Sequence, residues 1–122
     1  MRSEPQWSGA SVRHGSLGAL VSTGPHAWAY AAAIGIPPVV NRMNEPHLRL
    51  SIKVETGRIG LSTLLDDTGT LVAEQVVSPS AGPVTVTVEL PRHRAATLIL
   101  RNSVEMSSRA LVLEACLCDR AP

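Results

Sequence analysis

The sequence predicts an all-β protein: an antiparallel β-sandwich of about eight strands, with a jelly roll as the preferred arrangement and an immunoglobulin-like sandwich as the alternative. Three observations carry that prediction. Segments alternate apolar and polar side chains with period two, most clearly where Leu48, Leu50, Ile52 and Val54 oppose Arg49, Ser51, Lys53 and Glu55. Gly, Pro and Asp turns separate these segments at the intervals of a sandwich. No helix of normal length, no βαβ alternation and no fixed-period repeat competes with the strands. A strand greasy on one side and wet on the other needs a second sheet over its apolar side.

Residues 1–12 are polar and rich in Gly, Ser and Pro, and read as a flexible lead-in to one domain over residues 13–120. Residues 17–23 form a short apolar strand that stops at Gly24-Pro25, where Gly tolerates positive φ and Pro fixes its own. In residues 27–36 the alanines favour helix. Trp28, Tyr30, Ala32 and Ile34 nevertheless share a face at period two, and Pro37-Pro38 ends the run too early for a stable helix, so a strand is expected.

Residues 47–55 and 58–65 flank Thr56-Gly57 and read as a hairpin. Asp66-Asp67-Thr68-Gly69 carries the chemistry of a second antiparallel turn, leading into residues 70–77. Residues 78–83 are loop. Val84, Val86, Val88 and Leu90 alternate with Thr85, Thr87 and Glu89 in a further strand, and residues 96–101 and 109–118 complete the set.

The chain has 122 residues, enough for one domain with a core, and 44% of them are hydrophobic. Aromatic residues are scarce. With no Phe, packing falls to Leu, Val, Ile and Ala, and Trp7, Trp28 and Tyr30 stand out. The net charge is +1, and the ten Arg and single Lys53 are scattered, which argues against a nucleic-acid partner. The first residues lack the basic start and apolar run of a secretory signal, and no apolar stretch reaches the roughly 20 residues of a membrane helix. A cytoplasmic protein with no membrane partner is expected.

Cys116 and Cys118 sit two apart in a strand, so both thiols project from one face, too far apart for an unstrained disulfide; reduced, partly buried thiols are expected. A metal site there needs further ligands, and the four His are dispersed. Asp66-Asp67 lies in a turn too short to supply the six or more oxygens of a calcium site. His14, His26, His47 and His93 lack the close-set spacing of a metal cupin, and Gly57-Arg58-Ile59-Gly60 lacks the strand, glycine turn and helix of a phosphate loop. No nucleophile elbow or triad order is present. Neither a metal, a cofactor nor an enzymatic activity is expected.

Trp28, Tyr30, Arg101 and Asn102 form the candidate ligand-binding set. The rings offer flat apolar surface with a polar tip, Arg101 offers planar donors, and Asn102 both donates and accepts. Sugars stack on rings and pair their hydroxyls with such groups, so a glycan is the expected ligand. The same residues also fit structural roles. Trp28 among alanines suits an inter-sheet core, Arg101 suits an ion pair with Glu55, Glu74 or Glu114, and Asn102 suits a cap on the turn that follows. The apolar bias of Leu61, Leu64, Leu65, Val72, Val76 and Val77 supports a second function, a structural or oligomerisation domain docking a protein or a second copy of itself.

The succession HAWAYAAAIGIP, LRLSIKVETGRIGLSTLLDDTGTLVAEQVV, PVTVTVELP, ATLILRNSV and SSRALVLEACL resembles a bacterial β-sandwich module associated with FkbM-type methyltransferases and glycosyltransferase-containing polypeptides. The matching positions are Trp28, Tyr30 and Ala31, then Gly57 to Gly60 with Asp67 to Gly69, then Arg101 and Asn102, within residues 26–118. The resemblance implies a jelly-roll accessory module shaped like a carbohydrate-binding module, working beside a methyltransferase or glycosyltransferase partner. It does not imply methyl transfer by this chain, which has no counterpart of the S-adenosylmethionine motif.

Overall fold

The computed structural model describes residues 10–15, 18–36, 42–91 and 94–119. Nine strands run through them: β1 (Ser11–Gly15), β2 (Gly18–Ser22), β3 (Tyr30–Gly35), β4 (Pro46–Thr56), β5 (Ile59–Leu65), β6 (Thr70–Val77), β7 (Val84–Glu89), β8 (Ala96–Asn102) and β9 (Arg109–Asp119). They form a five-stranded sheet in the order β1-β2-β9-β4-β7 and a four-stranded sheet in the order β3-β8-β5-β6, and every pairing is antiparallel. The arrangement is a jelly-roll sandwich, as the patterning predicts. Among the described residues no helix is long and apolar enough to cross a membrane.

The two sheets close over an aliphatic core. Leu48, Leu50, Ile52 and Val54 of β4 point inward and meet Ile59 and Leu61 of β5 and Leu98 and Leu100 of β8, all buried in one cluster with Val21, Val88, Ala110 and Val112. The intervening Arg49 and Glu55 are exposed, as strand alternation requires. Val86, on the same side of β7 as the buried Val88, is only partly buried because β7 is the last strand of its sheet.

Four sequence expectations change. Strand β1 was not expected, since SVRHG is polar; its residues are mostly exposed and it is held at the sheet edge by pairing with β2. It starts inside the segment expected as lead-in, of which residues 1–9 lie outside the described residues.

The second change concerns residues 47–65, which are not a hairpin. β4 lies in the five-stranded sheet and β5 in the four-stranded one, so Gly57 turns the chain from one layer to the other. Its φ of 73° is left-handed, and a Cβ there would collide with Ser108 Oγ.

Third, Trp28 does not share a strand face with Ala32 and Ile34. Its own φ is 66°, ahead of β3, and a register shift between Tyr30 and Ala32 puts Ala31 and Ala32 both into the core. Period two therefore fails across that bulge. Fourth, Cys116 is exposed rather than partly buried, because this end of β9 has β4 on one side and no strand of β2 on the other.

Candidate functional site

Strand register lines up one row across the whole four-stranded sheet. Tyr30 of β3 pairs with Arg101 of β8, Arg101 with Gly60 of β5, and Gly60 with Val76 of β6. These residues face away from the core, because their neighbours Ile59, Leu61, Leu100 and Val77 face into it. The row is the floor of the candidate site.

Two side chains from outside the row complete it. The Trp28 ring stands over Arg101, with the guanidinium carbon 4.6 Å from the ring centroid. On the other side Glu74 Oε2 accepts from Arg101 Nη2 at 3.2 Å. Glu74 reaches that far because β5 presents only Gly60 between them, where a Cβ would stand 2.6 Å from Glu74 Oε1. A bulge in β6, with Ala73 at a φ of 55°, sets Glu74 in place.

Trp28 is 49% exposed and Val76 is 48% exposed, so an apolar surface flanks the ion pair on each side. Arg101 and Glu74 are more sheltered, with side chains 18% and 33% exposed. Arg101 Nε is buried and has no hydrogen-bond partner. The charges cancel, which leaves a patch of donors and acceptors between two apolar shoulders.

Asn102 holds this assembly from beneath. It is fully buried, and its Nδ2 lies 2.7 to 3.1 Å from the carbonyl oxygens of Gly24, His26, Val104 and Met106, which share its two protons. Its Oδ1 accepts from Ser108 Oγ at 2.6 Å. Its backbone oxygen accepts from Trp28 N at 2.6 Å, and its backbone N donates to Ala29 O at 2.9 Å. These bonds pin the 24–29 loop to the 103–108 loop and keep Trp28 in its left-handed conformation, a strain that the surrounding bonds must hold.

The structure thus brings together Trp28, Tyr30 and Arg101 from the candidate set. Asn102 lies apart from them: both polar atoms of its side chain are bonded inside the protein, and its backbone holds Trp28 and Ala29. The inter-sheet core reading of Trp28 also fails, since the ring is half exposed. Of the three carboxylates offered as partners of Arg101, it is Glu74 that pairs with it, while Glu55 sits by Arg109. Sequence reasoning had Glu74 among three possible partners and missed the parts played by Gly60 and Val76. A lone Gly within a strand signals close approach by a neighbour, and Gly60 was that signal.

Much of the apolar bias read as a docking face is core. Leu61, Leu65 and Val77 are buried, and only Val72 and Val76 of the group are exposed large side chains. Among the described residues no three His, Cys, Asp or Glu side chains group to hold a metal ion.

No protein-family model and no curated protein matches the chain. Solved structures do. A variant of a family 29 carbohydrate-binding module superposes with a TM-score of 0.71 at 11% identity, covering 94% of this chain and 75% of that one. Another variant of that module, complexed with mannohexaose, gives 0.65 at 14% identity over 94% of this chain and 80% of that one. A structure described as a family 4 carbohydrate-binding module gives 0.64 at 10% identity and covers 92% of both chains. At these identities the likeness is one of fold: this chain has the β-sandwich of carbohydrate-binding modules.

Proposed function

We propose that this protein is a non-catalytic carbohydrate-binding module whose site is the outer face of the four-stranded sheet around Trp28, Tyr30, Arg101 and Glu74. The observation that carries the reading is Trp28 itself. A large ring left half exposed, at a backbone angle that a bulky residue rarely adopts, is held outward by a buried network, whereas a core role would have folded it inward.

Chemistry names the ligand class. The axial C–H groups of a hexose stack on an indole face, and its hydroxyls both donate and accept. Arg101 supplies donors and Glu74 acceptors at the foot of the ring, and their mutual neutralisation favours an uncharged sugar. The family 29 module binds mannohexaose and cellulohexaose in its solved complexes, which makes these two neutral chains the first probes.

The resemblance to modules beside FkbM-type methyltransferases and glycosyltransferases supports an accessory role, positioning a glycan for a partner enzyme in the cytoplasm. The test is calorimetric titration of the folded protein with both hexasaccharides, alongside Arg101→Ala. Binding lost or much weakened in the variant supports the site; equal affinity in both proteins assigns it elsewhere.

A protein-docking role has one observation in its favour, Val72 and Val76 exposed on β6, the last strand of its sheet. Sedimentation over a range of concentrations tests self-association through that strand; a constant monomer mass sets it aside.

A further inference from the structure

Cys116 and Cys118 lie on the outer face of the five-stranded sheet, on the opposite side of the sandwich from Trp28, and their sulfurs are 3.5 Å apart. Cys116 is exposed and Cys118 partly so, and both are free thiols. Beside Cys116 is a shallow hollow lined by Arg49, Ser51, Thr85 and Glu114. We propose that these two thiols form a two-coordinate site for a soft monovalent cation, Cu(I), bound between Cys116 Sγ and Cys118 Sγ.

The geometry decides against the simpler product, a disulfide. Residues two apart on one strand are separated by about 6.6–6.8 Å along the chain. A disulfide requires Cβ atoms roughly 3.5–4.5 Å apart. β9 is not free to buckle to that extent, because Cys116 and Cys118 are in register with Arg49 and His47 of β4. An ion placed between the sulfurs needs them further apart than a covalent bond does, so the strand keeps its pleat.

Ligand count then selects the ion. Structural zinc takes four ligands, and no third His, Cys, Asp or Glu joins the pair among the described residues. Thiolates are soft ligands that favour Cu(I), which two of them satisfy. Uptake is a ligand exchange without redox change: two thiols and one Cu(I) give a bis-thiolate complex of charge −1 and release two protons. Arg49, opposite Cys116 across the ladder, stands where it offsets that charge.

A hydrogen bond with Cys118 and the charge of that neighbour push the Cys116 thiol up, with Glu114 adding to the effect and Arg49 opposing it.

The experiment is an anaerobic titration of the reduced 122-residue chain with Cu(I) against a chromophoric Cu(I) chelator, with Cys116→Ser and Cys118→Ser in parallel. The expected result is one Cu(I) per chain, withdrawn without any change in sedimentation. Either serine variant should keep the wild-type unfolding temperature, since neither side chain is in the core, and lose affinity by more than the ~100-fold that altered outer partners of a metal site produce. The proposal is overturned if the chelator retains the copper, if the serine variants withdraw it equally, or if loading produces a thiol-bridged dimer.

Discussion

Glu74 meets Arg101 across an intervening strand, with Oε2 3.2 Å from Nη2, and it does so by lying over Gly60. Three strands of the sheet are thereby tied into one polar patch beneath Trp28. Gly60 matters for the space it leaves, since its φ is not in the left-handed region.

Gly60→Ala should accordingly disturb the site more than the fold. The atom that an added methyl meets is the far end of a flexible side chain, so Glu74 swings aside and the ion pair opens. Partly exposed pairs contribute roughly 0–1 kcal/mol, and thermal unfolding should shift by no more than that. Hexasaccharide affinity should fall. A large loss of stability would show that Gly60 is packed against backbone instead.

Asn102→Ala should do the reverse. It empties a fully buried position and takes the amide donor from four carbonyl oxygens; Gly24 O keeps Thr23 Oγ1, His26 O keeps Ala29 N and Ser108 Oγ keeps Arg58, while the carbonyls of Val104 and Met106 lose the donor that ties their loop to the 24–29 loop. A loss of about 2–4 kcal/mol in denaturant unfolding is expected, from the emptied space together with the lost buried hydrogen bonds. A change under about 0.5 kcal/mol would mean the two loops are held by other contacts.

Gly57 and Gly69 share almost the same φ, 73° and 72°, but differ in surroundings. A Cβ at Gly69 meets nothing within 4 Å, whereas at Gly57 it runs into Ser108. Gly69→Ala should cost only the left-handed strain, about 1–2 kcal/mol, and Gly57→Ala clearly more. Equal losses measured by chemical denaturation would remove the steric role assigned to Ser108.

Face assignment has its own check in Leu50 and Thr85, neighbours across the β4–β7 ladder on opposite faces. Leu50 is fully buried and Thr85 exposed. Leu50→Ala should cost about 2–5 kcal/mol. Thr85→Ala should stay within about 0.5 kcal/mol. Similar values would invert the sandwich.

The sandwich was readable in the sequence wherever period two runs unbroken. Leu48 to Val54 points into the core as its pattern requires, and Asp66 to Gly69 turns β5 into β6, with Gly69 N donating to Leu65 O at 2.8 Å. The reading failed where backbone geometry breaks the period. The bulge after Tyr30 and the left-handed angle at Trp28 cannot be read from residue types, and they decide that the ring faces out. Thr56-Gly57 has hairpin chemistry, yet tertiary packing against Ser108 makes it a crossing between sheets. Arg101 was legible as a candidate because it ends an apolar strand, and Glu74 as one of three possible partners; the choice among the three was not legible, since the pair depends on long-range register through Gly60.

The central claim is that the exposed face of Trp28 binds a neutral sugar chain. It is tested most directly by titrating mannohexaose and cellulohexaose into the folded protein and its Trp28→Ala variant, following heat release, with circular dichroism confirming that both are folded. The account predicts measurable binding to the wild type and a loss of at least about tenfold in the variant, equivalent to ~1.4 kcal/mol. Undiminished affinity after removal of the ring, or no binding of either chain by the wild type, would contradict it.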